Sequence, residues 1–358
     1  MLILIIKSIK STKLFLLFFN FLLCILFGCI LSTSFFNAST LTSSIVWDDK
    51  LIEKNSDYIK WVDFTPTYEV LSATSKLDIN SHNSDSEIKY NWIELISYLA
   101  CKYGGNFKNY KTKDLNALID KLNSGTSIED LTKDMKYYSY YYEAYDAVLH
   151  EFIGAYQIEI INSSGETEIV DKYGIKAFSP IARNYNFSHY DDFGASRSYG
   201  YKRTHLGNDL MGNIGTPIIA VESGTIEAIG WNQYGGWRIG IRSFDGKRYY
   251  YYAHLRKDHP YVDGLEIGSV VRAGDVVGYL GMTGYSTTEN VNNINVPHLH
   301  FGIQLIFNEC QKDGVNQIWI DVYQIIEFLR KNTSEVHKTE NNNYVRKFQI
   351  FEPNLYEI

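Results

Sequence analysis

Two stretches of the C-terminal half share one pattern, and this pattern limits the possible folds more than any other feature. Residues 221–230 and 271–280 each predict a strand, a turn through Ser-Gly or Ala-Gly, and a second strand. Around them, short apolar or β-branched runs after Ile161 are separated by Gly, Asn and Asp. This punctuation is typical of an all-β domain. We therefore expect an all-β domain with a duplicated hairpin over residues 165–330, ending in a short helix at 322–329.

Residues 89–160 have a helical period instead. Apolar side chains recur three and four positions apart, as expected for one face of a helix. The first set is Trp92, Leu95, Ile96 and Leu99, and the second is Leu115, Leu118, Ile119 and Leu122. Gly104-Gly105 is expected to end the first helix, and Ser127 followed by Asp130 predicts an N-cap. A small all-α region of at least three helices therefore precedes the β domain, and the fold class is α+β.

The Tyr-dense segment 137–145 falls in the third predicted helix. At helical spacing its rings are expected to pack in the core. The same stripe would also suit a glycan strand, and contact with a cell-wall or membrane protein is a further role open to the helical region.

Residues 1–34 predict a signal peptide or a membrane anchor. Three lysines precede an apolar run at 14–31 that only Asn20 interrupts. Positive charge before the run places the remainder of the chain outside the cytoplasm. Small residues at 32–34 would permit cleavage, and the stretch 26–29 resembles a lipobox with lipid attachment at Cys29. Residues 35–88 are polar and predict a linker or stalk, and residues 331–358 predict a polar tail.

Charge and motifs exclude several classes of function. The formal net charge is −7 over 358 residues, so no basic stripe is expected for binding nucleic acid. Neither a phosphate-binding Gly-Lys-Ser/Thr loop nor a strand-linked G-x-G-x-x-G motif is present. Cys101 and Cys310 lie among apolar neighbours, which favours two buried free thiols, although a disulfide between them stays open.

Histidines concentrate in the predicted β domain. His298 and His300 are two apart on a predicted strand, so both face one side while Leu299 and Phe301 point into the core. Gly207 and Asn208 favour a turn that brings His205 and Asp209 together.

Two neutral imidazoles and one carboxylate form a zinc-binding set with a fourth position open to water. The open position indicates catalysis, since bound Zn²⁺ acidifies water and polarises a carbonyl. His254 and His298 then fit the roles of proton acceptor and oxyanion stabiliser. The other histidines are expected to be structural or at the surface, namely His82, His150, His189, His259 and His337.

With H-x-x-x-D, a strand histidine and H-x-H in this order, residues 178–306 resemble the lysostaphin/LytM-type zinc endopeptidases. Glycine-rich segments at 230–236 and 281–287 look like the connecting loops of that family. The resemblance implies that His205, Asp209 and His300 bind zinc and that His254 and His298 are catalytic. It also implies a mainly antiparallel β-sandwich with a groove across the metal, and cleavage of peptides in bacterial peptidoglycan. An insertion at 289–296 departs from the family pattern and makes the cleavage specificity uncertain.

Three alternatives compete with an endopeptidase. Some domains of this family lack ligands and act as scaffolds, whereas every required position is filled here. A zinc carboxypeptidase acting on D-Ala-D-Ala ends would use the same ligand types. A lipoyl-type carrier domain also repeats a hairpin, but the turns Ser223-Gly224 and 273–275 offer no lysine for the prosthetic group.

Overall fold

Helices come first and strands follow in the computed structural model, which describes residues 58–199 and 201–352. The helices of the first part are α1 (Tyr68–His82), α2 (Trp92–Tyr103), α3 (Thr112–Asn123), α4 (Ile128–Thr132) and α5 (Tyr138–Leu149). Single 3₁₀ turns lie at Phe107–Asn109 and His150–Phe152. The helical region is therefore confirmed.

Helix α2 is the centre of this region. Asn91 caps it by accepting hydrogen bonds from the backbone N–H groups of Ile93 and Glu94, and Gly104 ends it in the left-handed conformation. Its apolar face is buried and packs against α1 and α5. The predicted cap at Ser127 is present, since its side chain accepts from the Asp130 backbone N–H.

The tyrosine stripe lies mainly on α5 and packs partly into this core. Tyr145 is buried with its ring edge-to-face against Phe64, at a centroid distance of 5.5 Å. Tyr137, just before α5, is exposed. The expectation of core packing therefore holds for the end of the stripe nearest the β domain.

Strands occupy most of the remaining chain. They are β1 (Ile153–Ile161), β2 (Thr167–Ile175), β3 (Ser188–His189), β4 (Ser196–Tyr199), β5 (Tyr201–Thr204), β6 (Asn208–Met211), β7 (Pro217–Ile219), β8 (Gly224–Asn232), β9 (Gly236–Ser243), β10 (Arg248–Ala253), β11 (Val270–Val271), β12 (Val276–Tyr279), β13 (His298–Leu305), β14 (Ile318–Ile320), β15 (Val336–Lys338), β16 (Tyr344–Arg346) and β17 (Ile350–Phe351). Helix α6 (Tyr323–Leu329) follows β14 and agrees with the helix predicted at 322–329.

The main sheet has the order β11-β8-β9-β10-β13-β6-β3, and β14 also pairs with β13. All ladders between the named strands are antiparallel. A smaller sheet pairs β12 with β7. The α+β fold class, with a mainly antiparallel C-terminal domain, is thus confirmed.

The two similar stretches do not form separate hairpins. Instead, β11 pairs with β8 and β12 pairs with β7, so each repeat pairs with the other. The cause lies in the two turns, which bond to each other. The Ala220 N–H donates to the Asp275 carbonyl and the Gly274 N–H to the Ala220 carbonyl, both at 2.9 Å. Each turn is therefore a corner between two sheets.

Two predicted boundaries differ from the structure. Helix α1 lies inside the predicted linker. It was not predicted because its buried face combines Val70 and Leu71 with hydrogen-bonded polar residues such as Asp78. The predicted tail contains β15, β16 and β17, and β17 pairs with β1 through Ile350 opposite Ile158. The predicted segment 1–34 lies outside the described residues. Among the helices that the structure describes, none has the length and apolar character to cross a membrane.

The two described cysteines are not joined by a disulfide. Cys101 is half-buried and Cys310 is exposed. The expectation of two buried thiols is therefore wrong for Cys310, which lies in a 3₁₀ turn at Glu309–Gln311.

A buried ionic cluster joins the helices to the main sheet. Arg248, at the start of β10, is fully buried and donates to Glu222 from Nε (2.7 Å) and Nη2 (3.1 Å). Its Nη2 also donates to Asp245 at 2.9 Å, and its Nη1 donates to the carbonyl of Ala147 in α5 at 2.8 Å. The hydroxyl of Tyr250 donates to Glu222. The cluster is therefore well satisfied although it is buried.

We predict that Arg248→Ala lowers the free energy of unfolding by about 3–5 kcal/mol, because Glu222 would remain buried without its cation. Urea unfolding followed by circular dichroism measures the change. Arg183→Ala removes the more exposed ion pair with Glu335 and should cost less than about 1 kcal/mol. An equal decrease in the free energy of unfolding in the two variants would show that the buried cluster is no more important for stability than the exposed ion pair.

Candidate metal centre

Strand β13 brings the site together. It lies between β6 and β10, with His300 opposite Asp209 on β6 and opposite Ala253 on β10. His254 follows Ala253 directly. Leu299 and Phe301 are buried, as the alternation predicts, while the two histidines face the other side.

Three side-chain atoms converge at one point. His205 Nε2 lies 3.1 Å from Asp209 Oδ1 and 2.9 Å from His300 Nδ1, and the last two atoms are 3.2 Å apart. Zinc bonds of about 2.0–2.1 Å at tetrahedral angles would place such ligand atoms roughly 3.3 Å apart. Two imidazole nitrogens and one carboxylate oxygen are also ligands that zinc prefers. These three residues therefore fit a zinc ion in both chemistry and spacing.

Burial and hydrogen bonding set the charge of the carboxylate. Burial opposes ionisation of Asp209, but its contacts with the His205 and His300 rings hold its pKa well below the usual range. Burial lowers the pKa of His300, although its hydrogen bond with Asp209 acts in the opposite sense. Asp209 is therefore an anion that lies beside the neutral imidazole of His300. The two side chains together are suited to binding a cation.

Asp192 and Arg197 contact His205 at Nδ1, the ring nitrogen that faces away from Asp209 and His300. His205 Nδ1 lies 3.1 Å from the Asp192 carbonyl oxygen and 3.3 Å from its Oδ2. Both are acceptors and favour the proton on Nδ1, which leaves Nε2 for a metal, although the Arg197 Nη2 donor also lies 3.3 Å from Nδ1. Arg197 Nη2 donates to Asp192 Oδ2 at 2.6 Å and lies 3.6 Å from Asp209 Oδ2. The sequence analysis missed both residues, and their only signal is a charged loop and hairpin before His205.

His254 and His298 lie beside this cluster with their ring centroids 4.8 Å apart. His254 Nδ1 donates to the Thr283 carbonyl at 2.9 Å, and His298 Nδ1 donates to the Val296 carbonyl at 2.8 Å. In both rings Nε2 is therefore the unprotonated atom. His298 Nε2 lies 3.7 Å from Asp209 Oδ1. Burial, followed by the charges of His298 and His300, lowers the pKa of His254 well below its ordinary value.

His254 adopts a strained backbone conformation, with φ at 62°. Left-handed conformations are uncommon outside Gly, Asn and Asp, and they concentrate at functional sites. The glycine-rich loops hold it there. Its N–H donates to the Gly235 carbonyl at 2.7 Å, and a Cβ at Gly284 would lie 3.0 Å from its Nδ1. The loop that carries Thr283 can therefore approach His254 only because Gly284 has no side chain.

Gly207 allows a similar close approach at the metal cluster. A Cβ at this position would lie 2.6 Å from the Phe301 carbonyl oxygen and 2.8 Å from His300 Nε2. Contacts this short would displace the imidazole. Gly207 is therefore required for the position of His300.

A groove of about 590 Å³ begins at these histidines and runs over the outer face of the main sheet. Its floor is aromatic, with Tyr249, Tyr251 and Trp319, and Arg203 and Arg238 also line it. The other described histidines are not part of this cluster. For example, His189 Nε2 lies 2.9 Å from Glu327, and His259 Nε2 hydrogen-bonds to Asn343.

Comparison with known proteins identifies the domain. Residues 203–316 match peptidase family M23. The L-Ala–D-Glu endopeptidase of Bacillus subtilis is 35% identical over 124 residues, which cover 35% of this chain and 36% of that protein. Lysostaphin of Staphylococcus simulans is 42% identical over 98 residues, which cover 27% of this chain and 17% of that protein. The matched region thus spans about a third of the first relative and less than a fifth of the second.

A solved structure shows the same fold over a longer region. A Ruminococcus gnavus protein described as a lytM-type glycyl-glycine endopeptidase aligns with 77% of this chain and 92% of its own, with a TM-score of 0.51 and 20% identity. This similarity concerns the fold alone. Together with the family match, it confirms the resemblance that the sequence pattern indicated.

Gly207→Ala is expected to weaken zinc binding at least about tenfold, because the new methyl group would displace His300. Competition with a chromophoric chelator measures the affinity. Gly174→Ala is the matched control, since a Cβ there meets only the Tyr156 hydroxyl at 3.9 Å. Unchanged zinc affinity in Gly207→Ala would contradict the required close approach.

Asp192→Asn should also weaken zinc binding, by about 10–100-fold, because His205 would lose its carboxylate partner. The same chelator competition applies, with Asp258→Asn as a control carboxylate that bonds to Asn290 instead. If both variants bound zinc like the parent protein, Asp192 would have no role in positioning His205.

Proposed function

We propose that this chain, whose residues 203–316 form a peptidase family M23 domain, is a zinc-dependent endopeptidase of bacterial peptidoglycan. Its substrate would be a peptide cross-link or a stem peptide. The observation that carries the proposal is the convergence of His205, Asp209 and His300, with His254 and His298 beside them. The peptidoglycan endopeptidases among its relatives support the substrate class.

His205, Asp209 and His300 would hold the ion through Nε2, Oδ1 and Nδ1. The chemistry supplied by bound zinc is polarisation of the scissile carbonyl and acidification of water. Asp192 keeps the proton of His205 on Nδ1, away from the ion. His205 Nε2 and the ionised Asp209 Oδ1 would thus be ready to bind, and His300 Nδ1, which contacts Asp209, would bind the ion in its deprotonated form.

His254 and His298 would move the protons of the reaction. Each has its Nδ1 proton engaged by a backbone carbonyl, so each offers an unprotonated Nε2. One ring can accept the proton of the attacking water and return it to the leaving amine. The other, once protonated, can donate a hydrogen bond to the oxyanion. Two adjacent rings therefore suffice for both tasks.

We also propose that the chain acts outside the cytoplasm. Peptidoglycan lies there, and the basic residues before the apolar run at 14–31 predict export or anchoring in that orientation.

The groove beside the histidines is large enough for a peptide rather than a single residue. This favours cleavage within a peptide over removal of one terminal residue.

The test uses the full-length chain, its zinc content and purified peptidoglycan. His300→Ala should lose both zinc and activity, because a ligand is removed. His254→Ala should keep zinc and lose activity by a factor of about 10²–10⁴, because a proton acceptor is removed. Newly released amino groups measure the cleavage, and product masses identify the bond. His337→Ala is the control, since this histidine is exposed on β15.

Two results would overturn the proposal. Zinc binding by the parent protein without release from any peptidoglycan would indicate a scaffold. Release of terminal D-Ala alone, with the cross-links intact, would indicate a carboxypeptidase.

A further inference from the structure

We propose that Arg203 and Arg238 form a carboxylate-binding subsite next to the metal centre. Resting on the proposed function, this subsite would make the enzyme prefer peptides that carry a free carboxylate within one or two residues of the scissile bond. Neutral peptides of the same length would be poorer substrates. The inference rests on where the two guanidinium groups lie and on their lack of acidic partners.

The register of the main sheet places Arg238 near His300. Tyr252 pairs with Ile239, so Arg238 lies alongside Ala253, and Ala253 pairs with His300. Adjacent strands are about 4.8 Å apart, which puts the Cα atoms of Arg238 and His300 roughly 10 Å apart. Both side chains line the groove. An arginine side chain at this position lies within the span of one or two residues of an extended peptide.

Arg203 lines the same groove from β5. Its guanidinium lies over two aromatic rings, 5.5 Å from the centroid of Tyr234 and 4.8 Å from that of Tyr285. It also donates a hydrogen bond to the Tyr285 hydroxyl. The Tyr285 ring is itself 5.7 Å from the ring of His254. Arg203 is therefore held beside the proposed proton acceptor.

Both arginines act on the same part of the groove floor. Tyr251 pairs with Gly240 on β9, two positions from Arg238 on the same face, and Tyr251, Arg238 and Arg203 all line the groove. The Tyr251 ring lies 5.8 Å from that of His300. The two cations therefore converge on the floor next to the metal ligands.

Neither cation has an acidic partner among the described residues. Within residues 58–199 and 201–352, no carboxylate oxygen lies within 4.0 Å of either guanidinium. The Nε atoms of both are buried without a hydrogen-bond partner. By contrast, Arg242 makes a two-point ion pair with Glu227 at 2.6 and 3.0 Å, and Lys312 pairs with Glu309 at 2.7 Å.

A carboxylate is the ligand that this arrangement lacks. Guanidinium groups bind carboxylates through paired, charge-assisted hydrogen bonds, and they bind more strongly in a partly desolvated groove. The aromatic floor formed by Tyr249 and Tyr251 supplies that setting. Two carboxylates also line the groove, Asp313 and Glu227, and Glu227 is paired with Arg242. An acidic residue linked through its side chain keeps a free α-carboxylate, whereas an oligoglycine segment has none.

The experiment compares three fluorogenic peptides with the full-length, zinc-loaded chain. The first contains L-Ala–γ-D-Glu with its α-carboxylate free, the second is its α-amide, and the third is pentaglycine. We expect kcat/KM to be at least about tenfold higher for the acid than for the amide or pentaglycine. In Arg203→Gln and Arg238→Gln this ratio should fall towards one, mainly through a higher KM for the acid.

Arg242→Gln is the matched control, because it removes a guanidinium from the same face of β9 whose charge Glu227 already neutralises. It should keep the acid-to-amide ratio of the parent protein. Bound zinc, measured in every variant, shows that the metal centre is intact.

The outcomes separate the two proposals. Equal kcat/KM for acid and amide in the parent protein, or an unchanged ratio in both arginine variants, overturns the subsite and leaves the endopeptidase standing. Failure of the parent protein to cleave any of the three peptides or purified peptidoglycan overturns the proposed function itself.

Discussion

Strand β13 holds His300 opposite Asp209 because backbone hydrogen bonds to β6 on one side and β10 on the other fix its register. Burial also stabilises this register, since Leu299 and Phe301, which alternate with the two histidines, are packed in the core. A slip by one residue would turn both imidazoles into the core and both apolar side chains into the groove. The geometry of the metal centre is thus a consequence of ordinary sheet packing. No separate device is needed to bring together residues that are 91 positions apart in the chain.

Strand β10 connects this centre to the helical region. It begins at Arg248, whose guanidinium bonds to the carbonyl of Ala147 in α5, and it ends next to His254. A buried ion pair gives little net stability, but it is very sensitive to loss of either partner. The same strand therefore carries an ionic anchor at its start and a strained, functional backbone position at its end. Strain of this kind persists only where the surrounding structure enforces it, and here two loops and an anchored strand do so.

The sequence predicted what depends on local spacing. The alternation in His298-Leu299-His300 predicted which side of the strand each side chain faces. The turn residues before Asp209 predicted that its side chain lies close to His205. What it missed depends on distant contacts. Helix α1 is hidden because its buried face includes Asp78, which is satisfied by the Trp92 N–H and the Tyr173 hydroxyl. Strand β17 pairs with β1 far earlier in the chain, with Phe351 opposite Gln157, and Asp192 gains its place beside His205 only through folding. Neither leaves a periodic signal.

The net charge of the chain does not predict the local charge of the groove. The chain carries a formal charge of −7, yet the part of the groove next to the metal ligands contains two cations that pair with no acidic residue in the described part of the chain. Charges separated by more than about 10 Å in water are screened, so the acidic surface elsewhere does not cancel them. Zinc and its single anionic ligand would add a further positive charge at the same place. The ligands and the two histidines explain how a peptide bond could be broken. The residues of β5 and β9 that face the groove are where different substrates would be distinguished, because they contact the peptide away from the scissile bond.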